Sequence, residues 1–112
     1  VDRKANYSRG IGAVSQIAPE VSALLPGSDI AIEEIHHNKK KDAPSGTAKT
    51  LCDILHVPYS SAVSMRIGTV PGEHRICFAL EDEVIEIIHR AFSKKIFAIG
   101  AIEAGKSMIK ID

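Results

Sequence analysis

The first third of the chain carries the spacing of an amphipathic helix. Apolar residues recur every three or four positions between 7 and 25, and Ser8 stands where a helix N-cap is expected. Pro19 falls inside this pattern, so we expect it to kink or divide the helix. A second helical pattern begins at Ser45 and runs to about Leu55.

Alternation of apolar and polar positions predicts strands elsewhere. One segment, Ile30 to Ile35, leads directly into a basic stretch, and three more follow the second helix at 63–67, 75–80 and 84–91. The turn compositions at 70–72 and 81–83 separate these three segments. Because such links are short, we expect the strands that they join to be antiparallel neighbours.

A last helical pattern starts at Ser93 and places Phe97 and Ile102 on one face. Together, these helices and strands predict an α+β fold. We expect a mixed, largely antiparallel sheet of about four strands with its helices on one face. The segment 84–91 is apolar on both sides, through Val84 and Ile88 on one side and Ile85 and Ile87 on the other. The second face of the sheet is therefore expected to be buried in an oligomer or against another domain.

Composition narrows the class of protein. The 112 residues make one domain, and the formal net charge of +0 gives no global support for a nucleic-acid partner. No apolar run reaches the ~18 residues of a membrane span. Cys52 and Cys77 are far apart in apolar patterns, which favours reduced thiols in a cytoplasmic protein over a disulfide or a metal knuckle.

The chemistry is concentrated between Glu34 and Ala48. His36 to Lys41 supplies five potential cations in six residues, and Pro44 ends this stretch. Ser45-Gly46-Thr47 then opens a helix, whose unbonded N–H groups should point the same way as the basic side chains. The pattern predicts an anion site for a carboxylate or phosphate that can also deliver a proton.

Less specific interpretations exist for the same charges. A basic run is usually a solvated loop, and Lys39 and Lys41 individually are expected to be exposed. Asp42 either pairs with Lys40 or shapes the loop, and we favour the loop. A nucleotide site at the helix start lacks a Walker glycine-lysine pattern.

The remaining histidines favour structural roles. His74 and His89 lie on predicted strands and are expected to be hydrogen-bonded there rather than to bind a ligand. A metal site from Glu34, His36 and His37 is not predicted, because adjacent residues of an extended chain point to opposite faces.

The stretch Glu34 to Ala48, read as Glu-x-His-His-x-x-Lys-x-Asp-Ala-Pro-Ser-Gly-Thr-Ala, resembles the signature of the 4-hydroxy-tetrahydrodipicolinate reductase family, formerly dihydrodipicolinate reductase. Further matches follow in order along nearly the whole chain: Asn6-Tyr7-Ser8 with Gly10, Gly72-Glu73-His74 with Phe78, His89-Arg90-Ala91 with Ser93, and Phe97 to Ala101. The family's glycine-rich dinucleotide fingerprint has no counterpart here. The resemblance therefore implies that residues 1–112 are the C-terminal substrate-binding and tetramerisation domain, with the N-terminal Rossmann domain absent from this chain.

That family reduces a cyclic imine dicarboxylate with a nicotinamide hydride on the route to diaminopimelate and lysine. The resemblance implies NADPH or NADH in the full-length enzyme, no cofactor bound to this chain, a cytoplasmic homotetramer, and no activity for the chain alone. It assigns catalysis to His36 and Lys40, with Lys40 as proton donor. It assigns substrate binding to His37, Lys40, Ser45, Gly46 and Thr47, although Ser45 is equally well explained as a helix cap. It also assigns cofactor binding to Asn6 and Tyr7. The alternative is a non-catalytic oligomerisation module, or a truncated fragment that retains an anion pocket.

Overall fold

A computed structural model of the protein describes residues 8–96. In chain order, its elements are α1 (Arg9–Leu24), β1 (Asp29–His36), α2 (Gly46–Leu55), a short 3-10 turn (Tyr59–Ser61), β2 (Ala62–Arg66), β3 (Gly72–Leu80) and β4 (Glu83–Ala91). The predicted α+β class and the mixed sheet are confirmed. The predicted contacts of Asn6 and Tyr7, and the helical face at Phe97 and Ile102, lie outside the described residues.

The sheet has the order β2-β1-β3-β4. β1 pairs in parallel with β2, whereas the β1–β3 and β3–β4 pairs are antiparallel. The turn at 81–83 therefore joins antiparallel neighbours as predicted, but the prediction that β2 and β3 are neighbours was wrong. β1 lies between them, because the connection from β1 to β2 contains α2 and is long enough for a parallel crossover.

Both helices begin at a serine cap. The Ser8 hydroxyl accepts a hydrogen bond from Ile11 N–H at the start of α1, and the Ser45 hydroxyl accepts one from Ala48 N–H at the start of α2. These bonds satisfy amides that have no carbonyl partner in their own helix. α1 continues past Pro19, so the proline does not divide the helix.

The core lies between one face of the sheet and the two helices. Register places Ala62, Ile32, Ile76 and Ile87 in one row across all four strands, on the face that the helices cover. The buried cluster consists of Ala18, Ile32, Ala48, Leu51, Cys52, Leu55, Ile76 and Phe78. The position of both helices on one face confirms that part of the prediction.

The other face of the sheet carries apolar side chains that the described residues do not cover. Val63, Met65, Val84 and Ile88 share this face by register, and each is exposed. Within residues 8–96, no helix has the length and apolar character needed to span a membrane.

Candidate functional site

A polar row crosses the sheet next to the apolar row of the core. Ser64, Glu34, His74 and His89 are direct neighbours in register on β2, β1, β3 and β4. These positions alternate with the outward-facing residues, so all four lie on the same face of the sheet as the helices. The row lies near the N-termini of α1 and α2, because Ser8 and Ser45 both contact it.

Glu34 is the most connected residue of this row, and its side chain is fully buried. Arg66 Nη1 and Nη2 donate to its two oxygens at 2.9 and 2.8 Å. Ser45 N–H donates to Oε2 at 3.1 Å, and His36 Nδ1 contacts Oε1. Burial alone would raise the pKa of Glu34, but the bonds from His36 and Arg66 hold it well below its usual range. The carboxylate is therefore ionised and fully partnered.

His74 links the sheet to the cap of α2. Its Nε2 lies 3.1 Å from Ser45 Oγ, and its ring meets the His36 ring edge-on at a centroid distance of 5.3 Å. Burial, with a smaller electrostatic effect of the neighbouring His36, lowers the pKa of His74 to about 3. His74 is thus a neutral structural histidine, as predicted. The predicted hydrogen-bonded role of His89 is also confirmed, because its Nε2 lies 3.3 Å from Ser8 Oγ.

A cavity of about 410 Å³ opens beside this network. It is lined by His36, His37, Lys40, Asp42, Ser45, Gly46, Thr47, Pro71 and Lys94. All six site residues predicted from the basic stretch and the helix start therefore meet at one cavity. The amides of Gly46 and Thr47 belong to the first turn of α2 and have no carbonyl acceptor within that helix. Cationic side chains and helix N–H groups share the cavity, which suits an anion.

Lys40 and Asp42, which both line the cavity, form an ion pair with 3.1 Å between Nζ and Oδ1. The preference for a purely loop-shaping Asp42 was therefore wrong, although the Asp42 carbonyl also accepts a 2.6 Å bond from Arg66. The hydrogen bond from Lys40 lowers the pKa of Asp42. An incoming carboxylate would compete with Asp42 for the Lys40 ammonium group.

His36 and His37 both line the cavity although they are consecutive. β1 ends at His36, so the alternation of an extended strand no longer applies to the next residue. Partial burial, and then the electrostatic effects of nearby Lys94, His36 and Lys40, lower the pKa of His37. His37 is therefore biased toward the neutral form, which can donate and accept hydrogen bonds.

Sequence reasoning missed Arg66 and Lys94. Arg66 lies in a segment where Val63, Met65 and Ile67 form the apolar alternation, and these three are the exposed residues of that segment. Alternation identified the two faces of β2 but not the face that the helices cover. Lys94 follows β4, and only the folded sheet brings it to the cavity.

Three possible metal ligands lie close together, but the hydrogen bonds that they already make disfavour a metal ion. Ligand atoms of Glu34, His36 and His74 lie within 4.8 Å of one another. Arg66 already neutralises Glu34 through both oxygens, and Ser45 lies at hydrogen-bonding distance from His74. A cation would have to displace the guanidinium group, so this donor set is better suited to a hydrogen-bond network.

Comparison with known proteins gives the family. The family described as "Dihydrodipicolinate reductase, C-terminus" matches residues 10–111. The chain belongs to this family. The match to the dihydrodipicolinate reductase C-terminal domain extends over nearly all of α1, the cavity residues and all four strands.

Curated relatives carry the name 4-hydroxy-tetrahydrodipicolinate reductase. The protein of Thermosipho africanus (strain TCF52B) is 43% identical over 104 residues, which cover 93% of this chain and 48% of that protein. The protein of Staphylococcus aureus (strain JH9) is 40% identical over 125 residues, which cover 94% of this chain and 52% of that protein. The chain thus spans about half the length of these relatives.

A solved structure shares the fold. It is a dipicolinate-bound dihydrodipicolinate reductase from Paenisporosarcina sp. TG-14, with a TM-score of 0.68 and 22% sequence identity. The similarity covers 87% of this chain and 45% of that one.

Proposed function

We propose that the chain is the substrate-binding and proton-donating domain of a cytoplasmic, NAD(P)H-dependent 4-hydroxy-tetrahydrodipicolinate reductase in diaminopimelate and lysine biosynthesis. The observation that carries the proposal is the convergence of His36, His37 and Lys40 with the first turn of α2 at one cavity. The names of the curated relatives support the reaction class.

The cavity has the chemistry of a dicarboxylate site. Its volume of about 410 Å³ falls in the usual range for a small-molecule pocket. One carboxylate fits the Gly46 and Thr47 amides with the Thr47 hydroxyl, and the second fits the two cations that also line the cavity, Lys40 and Lys94. The dipicolinate named for the solved relative is a planar diacid of this kind.

Reduction of the cyclic imine requires a hydride and a proton. When bound by the full-length enzyme, the nicotinamide cofactor supplies the hydride. Lys40 is the proton donor to the reduced substrate, because its ammonium group lines the cavity and can leave its partly exposed pair with Asp42. His36 is the second catalytic group, and its ring is held by Glu34. In this chain, Asn6 and Tyr7 are the proposed cofactor contacts.

Calorimetric titration with pyridine-2,6-dicarboxylate tests the site. We expect the 112-residue chain to bind this diacid, and Lys40→Ala to weaken binding by about tenfold because it removes a charge-assisted contact. Thr47→Ala should weaken binding less, since the helix amides remain. Lys41→Ala is the matched control, because it removes the same charge from an exposed neighbour that does not line the cavity.

Three outcomes would count against the proposal. Failure of the folded chain to bind the diacid would remove the substrate site and favour a non-catalytic module. Equal losses for Lys40→Ala and Lys41→Ala would show that only the general charge of the loop matters. Tighter binding of a nucleotide than of the diacid would favour a phosphate site.

The proposal includes assembly into a homotetramer through the outer face of the sheet. Met65 is 47% exposed on that face, and Val63 and Val84 are more exposed still. Apolar surface of this kind is stabilised when a second copy covers it. In sedimentation, Met65→Glu should dissociate the assembly, whereas Ile17→Glu on α1, also 47% exposed, should not. A monomeric unsubstituted chain at high concentration would refute this part.

A further inference from the structure

We infer that Glu34 is a positioning residue, which sets the imidazole of His36 with Nδ1 as its hydrogen-bond donor and ties the start of α2 to β1. The inference rests on the proposed dicarboxylate site, whose two halves it connects. Glu34 itself does not line the cavity and is fully buried behind it.

The tautomer follows from hydrogen-bond chemistry. An ionised carboxylate can only accept hydrogen bonds, so the His36 Nδ1 that contacts Glu34 Oε1 must carry the hydrogen. In the neutral ring, Nε2 then keeps its lone pair. Because His36 lines the cavity, Nε2 is the ring nitrogen left to accept a hydrogen bond or a proton from there.

The same carboxylate also anchors the start of α2, whose amides form the part of the cavity that suits an anion. Its Oε2 accepts the N–H of Ser45, the residue whose hydroxyl caps α2. Arg66 holds both oxygens in a bidentate pair and also binds the Asp42 carbonyl, which fixes the loop between β1 and α2. One carboxylate thus sets the distance between the His36 ring and the helix amides.

Nitrogen-15 NMR of the histidine rings in the 112-residue chain tests the tautomer without ligand. At a pH where the imidazoles are neutral, we expect His36 to be protonated on Nδ1. Glu34→Gln should abolish this preference, because an amide can either donate or accept. Arg66→Gln is the matched variant, because it removes the other half of the ion pair but leaves Glu34 to accept from His36. It should keep His36 protonated on Nδ1.

Binding of pyridine-2,6-dicarboxylate supplies the second readout. Glu34→Gln should weaken it by about tenfold, and Glu34→Asp should not restore it, because the shorter side chain keeps the charge but loses the reach. Full binding by Glu34→Gln with an unchanged His36 tautomer would overturn the inference.

The wild-type spectrum decides the question even if Glu34→Gln fails to fold. A neutral His36 protonated on Nε2 in the unsubstituted chain would refute the inference directly. Absence of diacid binding by the unsubstituted chain would instead refute the proposed function, while the tautomer would still report on Glu34.

Discussion

His74 and His89 lie opposite each other on β3 and β4, and each imidazole contacts the serine hydroxyl that caps a different helix. His74 meets Ser45 at the start of α2, and His89 meets Ser8 at the start of α1. The sheet therefore fixes both helix N-termini along one row of its register. Ser8 therefore contacts the same polar row as Ser45, which lines the cavity.

The contact between α1 and β4 makes two glycines of the same helix respond differently to alanine. A Cβ on Gly10 would lie 2.7 Å from the His89 ring, whereas a Cβ on Gly12 would meet nothing within 4 Å. Gly10→Ala should displace His89 from Ser8 and lower the free energy of unfolding by about 1–3 kcal/mol. Gly12→Ala should raise it by up to about 1 kcal/mol through helix propensity.

Urea unfolding of the two variants measures the difference. Gly12→Ala controls for the intrinsic effect of alanine in α1, since it changes the same residue type two positions away. Equal stabilisation by both variants would mean that the His89 ring moves aside at no cost.

Burial of His74 predicts loss of stability in acid. The pKa of His74 is about 3 in the folded chain against a usual value of 6.5, so below pH 6.5 the unfolded chain binds a proton that the folded chain does not. Stability should therefore fall as the pH decreases from 6.5 toward 3, by at most about 1.4 kcal/mol per pH unit from this group. His37 and His89, whose pKa values are also lowered, act in the same direction, and Glu34 adds to the loss below pH 4.5.

His74→Gln isolates that contribution. The amide can still bond Ser45 but does not titrate, so the slope of unfolding free energy against pH should become shallower between about pH 6 and pH 4. Urea titrations of both proteins across this range provide the measurement. An unchanged slope would assign the acid sensitivity to other groups.

Local sequence signals were sufficient to predict the two helices and the cavity residues near the start of α2. Ser8 was placed correctly as a cap, and the cap role that was left open for Ser45 is also observed, because a cap depends on the next three residues. The meeting of Lys40 with Gly46 and Thr47 also followed from proximity, since one short loop connects the end of β1 to the start of α2. The catalytic and binding roles of these residues stay predictions.

The sequence did not determine which strands pair with each other when they are far apart in the chain. Nothing in the segment 63–67 shows that it pairs in parallel with β1 rather than with β3. That choice turns Arg66 toward Glu34 and leaves Val63 and Met65 exposed. The buried ion pair was missed for the same reason, because its two charges are 32 positions apart.

The ion pair between Lys40 and Asp42 predicts that removal of an acid should improve binding of a diacid. Asp42 lines the cavity, and its side chain is 57% exposed, so Asp42→Asn should not disturb the fold. The Asp42 backbone carbonyl would still accept from Arg66, which keeps the loop in place. The substitution frees the Lys40 ammonium group and removes a negative charge that repels the ligand.

We expect Asp42→Asn to tighten binding of pyridine-2,6-dicarboxylate by a few fold, since exposed ion pairs contribute at most about 1 kcal/mol. The gain should shrink as salt is added, because screening weakens the charge that is removed. Calorimetry at two ionic strengths measures both effects, with Asp53→Asn, an exposed acid on α2 outside the cavity, as the matched control. Weaker binding by Asp42→Asn would instead show that the carboxylate is needed to hold Lys40 in the orientation that receives the ligand.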